Sequence, residues 1–246
     1  MRRMHDAERA ESPYAWLRLA ASLALVFRRR APMHDETAPG ALAAGSKGSL
    51  DLSPGVLQAL LAIAGITCCL AMSMPQVHIV AYCGDLGYSA ARGAEMLSLM
   101  MAFGIVSRLA SGWIADRIGG LRTLLLGAVL QAVALALFLP FQQLAALYVI
   151  SALFGLFQGG LVPSYPIIVR EYFSPREAGV RTGTVLMATL FGMALGGWLS
   201  GALFDFTGSY RAAFINGIGW NLLNLTIAFW LLRRLTGAAQ PRTSMA

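Results

Sequence analysis

Charge is scarce in this sequence. Only 13% of its 246 residues are charged, against about 25% in an ordinary soluble chain. Hydrophobic residues make up 57%, and the mean hydropathy is +0.62. A soluble fold with so little charge could not cover its surface, which excludes a water-soluble enzyme and a disordered scaffold. Lysine is nearly missing: of 19 basic residues, all but Lys47 are arginine. The three cysteines, Cys68, Cys69 and Cys83, share one apolar stretch. They form neither a disulfide framework nor a metal-binding spacing and read as small buried hydrophobes. A phosphate-binding loop, a His–Glu metal motif and a Gly-x-Ser-Gly nucleophile setting are all missing. Direct ATP drive, metal-dependent hydrolysis and intramembrane serine proteolysis are therefore not encoded. No cofactor, metal or enzymatic activity is expected.

What the sequence does have is long apolar runs. A membrane-crossing helix needs about 20 mostly apolar residues, and six stretches qualify: 56–82, 91–115, 121–139, 144–169, 182–204 and 212–232. Short connections make neighbours antiparallel, so the expected fold is an all-α membrane protein with six transmembrane helices. Residues 1–55 read as a cytoplasmic N-terminal segment and linker, 56–235 as the membrane domain and 236–246 as a cytoplasmic tail. The apolar stretch Leu19–Phe27 is short and flanked by Arg18 and Arg28-Arg29-Arg30. That pattern fits either an interfacial segment or the end of a preceding transmembrane helix, and not a cleaved signal.

The net charge of +7 invites a nucleic-acid reading until the positions are plotted. With both termini in the cytoplasm, the inner side holds 16 basic residues. The outer loops hold two, Arg92 and Arg211. This is the positive-inside asymmetry of a multi-pass protein. No nucleic-acid partner is expected; the expected setting is a lipid bilayer, a bacterial inner (plasma) membrane.

Arg108 is the one basic residue inside a span. It lies about 12 Å into a hydrocarbon core of about 30 Å. A charge there costs roughly 2.5–3.5 kcal/mol even on the insertion scale, so water, a partner or an anionic ligand must compensate it. Gly104, Arg108, Ser111, Gly112 and Ala115 recur at helical spacing. That small, polar stripe faces the bundle. A guanidinium grips a carboxylate through two parallel hydrogen bonds, which makes Arg108 a candidate site for a small organic anion. A salt bridge or carbonyl-capping role inside the bundle is the alternative. Gln76 and His78, just past Pro75, and Asn221 in the last span are further candidates for ligand contact. For His78 the alternative is packing, and for Asn221 interhelical hydrogen bonding. Gly192, Gly196, Gly197 and Gly201 are close-packing positions. Pro163 and Pro166 are expected to kink the fourth span.

The second span ends in Gly112-x-x-x-Asp116-Arg117-x-Gly119, followed by Arg122. Physically this is a tight interhelical latch. Gly119 suits a turn with positive φ, and Asp116 suits capping a neighbouring helix. The spacing resembles the loop signature of the major facilitator superfamily. Pro163-Ser-Tyr-Pro166 with Arg170-Glu171, and Gly201 through Arg211, are similar to that superfamily's later connections. The resemblance covers about residues 54–235 and implies the C-terminal half of a twelve-helix fold. Phe103-Gly104-Ile-Val-Ser-Arg108-Leu-Ala-Ser-Gly112 resembles the monocarboxylate and oxalate–formate branch, where an arginine in this helix binds the substrate carboxylate. Arg108 takes that position. The branch's proton-coupling aspartate is replaced by Gly104, and its fifth-span lysine has no counterpart between Thr182 and Phe204. Gly120 and Leu121 replace the usual basic pair of the loop. The resemblance implies a secondary transporter of small organic anions that needs a missing six-helix half or a second copy of the chain. The alternative is a non-transporting membrane interaction or regulatory protein.

Overall fold

Helix starts and stops follow local chemistry in a computed structural model that describes residues 52–238, with side chains as far as Arg234. The readings of residues 1–51 and of the tail beyond residue 238 lie outside the described residues. The first helix, α1 (Pro54–Asp85), starts with Pro54 in its first turn. Ser53 Oγ accepts a hydrogen bond from the Val56 amide at 3.4 Å. Proline there fits because the first-turn N–H has no helical partner in any case. The second helix, α2 (Ala90–Ile118), ends at Gly119, whose φ of +88° turns the chain directly into α3 (Gly120–Leu137). A side chain at such an angle is strained, so glycine is the residue the turn requires.

The fourth span is broken in two, α4 (Leu144–Gln158) and α5 (Leu161–Tyr172). The break lies at Gly159-Gly160, four residues before the first of the two prolines expected to bend it. The offset has a simple cause. A helical N–H bonds to the carbonyl four residues earlier, and Pro163 has none to give Gly159. Helix α6 (Pro175–Thr207) begins seven residues before the apolar run that marks it in the sequence. Ser174-Pro175-x-Glu177 supplies a start signal outside the apolar core. Helix α7 (Tyr210–Ala238) completes the set. Among the described residues there is no strand, and six helical stretches are long and apolar enough to cross a membrane.

The spans pack as two sets of three. The first span of each set lies against the second and third spans of the other. Thus α1 packs on α6 and α7, while α4 and α5 pack on α2 and α3. The third spans, α3 and α7, also meet. Phe138 stacks on Phe214 with ring centroids 4.9 Å apart and meets Phe154 edge-on at 6.2 Å. These three fully buried rings tie α3, α4 and α7 together.

Two glycine seams bring helices into backbone contact. A β-carbon at Gly192 of α6 would stand 2.5 Å from the Ile66 carbonyl oxygen of α1. One at Gly159 would stand 2.5 Å from the Gly104 carbonyl oxygen of α2. Without a hydrophobic drive between helices in lipid, such close packing carries much of their association. Gly197 and Gly201 pack more loosely, with nearest neighbours at 3.5 and 3.6 Å. Gly192→Ala should therefore lower thermal stability in detergent by about 1–3 kcal/mol, the usual cost of overpacking. Gly183→Ala, where a β-carbon meets open space, should lose none. Equal melting shifts for the two variants would contradict the seam.

Candidate functional site

Four spans enclose an open cavity of about 200 Å³. Cys69, Met72 and Gln76 reach it from α1, and Met100, Met101, Gly104 and Arg108 from α2. The break in the fourth span brings Gln158, Gly159 and Val162. Thr189, Leu190 and Met193 come from α6. Arg108 is the one charged residue in this lining. It lies ten residues before the C-terminal end of α2, about 15 Å along the helix axis. Its side chain is exposed and takes no hydrogen bond or ion pair among the described residues. On its helix, Gly104, Ser107 and Ala115 are buried against the bundle and Ser111 is half-buried, while Arg108 stands at the cavity edge. The guanidinium thus has its five N–H donors open to a ligand.

Gln76 shares the cavity with Arg108; His78 and Asn221 do not. His78 Nε2 donates to the Gly197 carbonyl at 2.9 Å and so bridges α1 and α6. Asn221 is fully buried, and its Nδ2 donates to the Ala128 carbonyl at 2.9 Å, linking α7 to α3. Asn224 accepts from the Tyr165 hydroxyl at 3.4 Å in the same interior.

Gln158 and the methionines are residues that sequence reasoning passed over. Gln158 is only 4% exposed and takes no side-chain hydrogen bond among the described residues. A glutamine in an apolar span next to a Gly-Gly pair was the available signal, since polar residues in spans face cavities or partners. Met72, Met100, Met101 and Met193 give the cavity a flexible, polarizable wall.

The latch between the second and third spans is built with a different acid from the expected one. Both carboxylate oxygens of Glu171, on α5, accept from the Gly120 amide, at 3.0 and 3.2 Å. They satisfy an orphan N–H and face the positive end of α3. Asp116 is exposed and takes no hydrogen bond or ion pair among the described residues. Gly112 has open space beside it, and the Arg117 guanidinium lies 4.6 Å over the Trp113 ring. Arg122 is exposed on the first turn of α3. The motif residues Gly112, Asp116, Arg117 and Arg122 thus present a largely free face at the turn between α2 and α3. At the opposite end, Glu95 pairs with Arg92 at 3.1 Å and accepts from the Tyr148 hydroxyl, which ties α2 to α4.

The model of the Major Facilitator Superfamily matches residues 20–245. Monocarboxylate transporter 13 of Rattus norvegicus is 36% identical over 144 residues, covering 58% of this chain and 34% of that protein. Monocarboxylate transporter 12 of Xenopus laevis is 30% identical over 161 residues, covering 63% and 35%. A crystal structure of the peptide transporter POT in complex with alafosfalin matches with a TM-score of 0.65 at 21% identity. That match covers 74% of this chain and 39% of the other. The chain spans about a third of the length of these curated relatives.

Removing the latch acid should be visible in stability. Glu171→Ala should destabilise the chain by about 1–2 kcal/mol, the range for losing a helix N-terminal cap. Asp116→Ala should leave the melting temperature unchanged. A larger loss at Asp116 than at Glu171 would overturn this assignment.

Proposed function

The chain belongs to the major facilitator superfamily, and we propose that it is the C-terminal six-helix half of a secondary transporter for small organic anions such as monocarboxylates. The carrying observation is the Arg108 guanidinium, unpaired at mid-depth and open to a cavity shared by four spans. An unpaired charge at that depth is retained where water or an anion meets it. The similarity to two monocarboxylate transporters supports the same substrate class.

In this reading the anion enters the cavity and its carboxylate docks on Arg108 through two parallel hydrogen bonds. Gln76 offers a neutral hydrogen-bonding group from α1. The site lies between two six-helix repeats, and transport follows from rocking one repeat against the other around the bound anion. The second repeat is either another six-helix segment or a second copy of this chain. The free Asp116 and the Gly112–Arg122 face are available to meet it on the cytoplasmic side. The glycine seams keep this half rigid during the motion. Substrate or ion gradients drive the cycle, because the sequence has no phosphate-binding loop. Gly104 leaves the branch's aspartate route for protons unfilled. Both termini lie in the cytoplasm, on the strength of the 16-to-2 distribution of basic residues. The membrane is a bacterial inner membrane in this reading.

Losing a charge-assisted hydrogen bond costs about 1.5–3 kcal/mol. Arg108→Ala should therefore reduce uptake of a radiolabelled monocarboxylate, in cells expressing the chain, at least roughly tenfold. Arg108→Lys should retain part of it, since lysine keeps the charge but not the planar fork. Uptake that is independent of Arg108, or a cellular phenotype untouched by Arg108→Ala, would favour a non-transporting membrane role.

A further inference from the structure

A second cavity opens beside the turn between α5 and α6, and it carries its own positive charge. It has a volume of about 580 Å³. Pro166, Arg170 and Phe173 line one wall, and Pro175, Gly179 and Thr182 line the other. Both walls belong to this chain, so the pocket needs no second half to form. Arg170 is the one charged residue in the lining. Its side chain is exposed and takes no hydrogen bond or ion pair among the described residues. The acids next to it in sequence are engaged elsewhere. Glu171 accepts from the Gly120 amide, and Glu177 pairs with Arg181 at 2.8 Å. The Arg181 guanidinium also lies over the Phe173 ring, 4.3 Å from its centre. Arg170 therefore keeps its full charge, beside an aromatic and two prolines.

This pocket continues the wall of the Arg108 cavity. On α5, Val162 lines the Arg108 cavity, and Pro166 and Arg170 follow four and eight residues later in the second pocket. On α6, Thr182 of the second pocket precedes Thr189 of the first by seven residues. Spacings of four, seven and eight keep residues on one face of a helix. Seven to eight residues is about 10–12 Å along the axis. The two pockets are thus neighbours on the same faces of the same two spans, displaced toward the α5–α6 turn.

We propose that the Arg170 pocket is a second, weaker anion site, where the carried monocarboxylate pauses between the Arg108 cavity and the water at the α5–α6 end of the bundle. The carboxylate pairs with the Arg170 guanidinium, and the apolar body lies against Phe173 and the prolines.

The physical argument concerns the distance between Arg108 and water. An anion leaving Arg108 passes about 10–12 Å of helix wall. An unpaired charge against apolar side chains is costly. A second cation one step along the wall shortens the unpaired stretch. Arg170 is exposed, so its pairing is screened by water and weaker than pairing at mid-depth. A weak site beside a stronger one lets the anion enter and still leave.

The inference rests on the reading of Arg108 as the carboxylate anchor, and the experiment separates the two. Single cysteines report on each pocket in a background with Cys68, Cys69 and Cys83 replaced by alanine. Met101→Cys reports on the Arg108 cavity. Gly179→Cys reports on the second pocket, where a side chain at position 179 meets open space. The full chain in lipid nanodiscs is treated with a water-soluble maleimide, with and without butyrate or its uncharged isostere butyramide. Butyrate should slow labelling at both positions, and butyramide at neither. Half-protection at position 179 should need about tenfold more butyrate than at position 101. Arg170→Gln should abolish protection at position 179 and leave it at 101. Arg108→Ala should do the reverse. Arg170→Gln is a surface change with little effect on folding, so the test does not depend on a fragile variant. Arg108-dependent protection at position 101, with none at 179 or with protection there indifferent to Arg170→Gln, would overturn the second site and leave the anchor standing. Protection absent at position 101, or insensitive to Arg108→Ala, would overturn the anchor and with it the passage between two sites.

Discussion

An arginine cannot sit near the middle of a lipid bilayer without something to compensate its charge, and the architecture around Arg108 meets that constraint. Guanidinium is permanently ionised, so it cannot neutralise itself as a buried lysine does. Among the described residues no carboxylate answers it. The compensation is spatial instead. Spans α1, α2, α4 with α5, and α6 stand around an open cavity, and α2 turns Arg108 toward it. The neighbouring stripe of Gly104, Ser107 and Ser111 packs against Gly159 and Gly160 of the fourth span. That contact sets the rotation of α2 and hence the direction in which Arg108 points.

The rest of the bundle holds those four spans in place. Backbone contact at Gly192 locks α1 to α6, and contact at Gly159 locks α2 to the fourth span. Polar bridges reinforce the same joints. His78 reaches across to the Gly197 carbonyl, and Asn221 links α7 to α3 behind the cavity. At the turn between α2 and α3, Glu171 fastens the fourth span to the start of α3. Each joint connects one three-span set to the other. These joints tie the two three-span sets together on every side of the cavity.

Much of this was legible in the sequence. The six spans follow from apolar run length, and Arg108 stood out because charge inside such a run is expensive. Gly119 was readable as a positive-φ turn because glycine takes that angle without strain. Details that depend on tertiary neighbours were less readable. Asp116 and Glu171 are both acids near the ends of spans, and only packing shows that Glu171 meets the Gly120 amide. The bend in the fourth span lies at Gly159-Gly160, because a proline disturbs the carbonyl one turn earlier. Gln76, His78 and Asn221 are similar polar interruptions in sequence; which one reaches the cavity depends on helix rotation. Gln158 was passed over because its significance comes from the break beside it.

The central claim is that position 108 faces a water-filled cavity and not lipid, and thiol accessibility tests it most directly. Arg108→Cys and Val129→Cys are compared in a background with Cys68, Cys69 and Cys83 replaced by alanine. Val129 is an exposed position on α3, away from the cavity lining. A charged, membrane-impermeant thiosulfonate reagent reacts with thiolate, which forms only where water reaches. The account predicts rapid modification at position 108 and almost none at position 129. Equal resistance at both positions would contradict it.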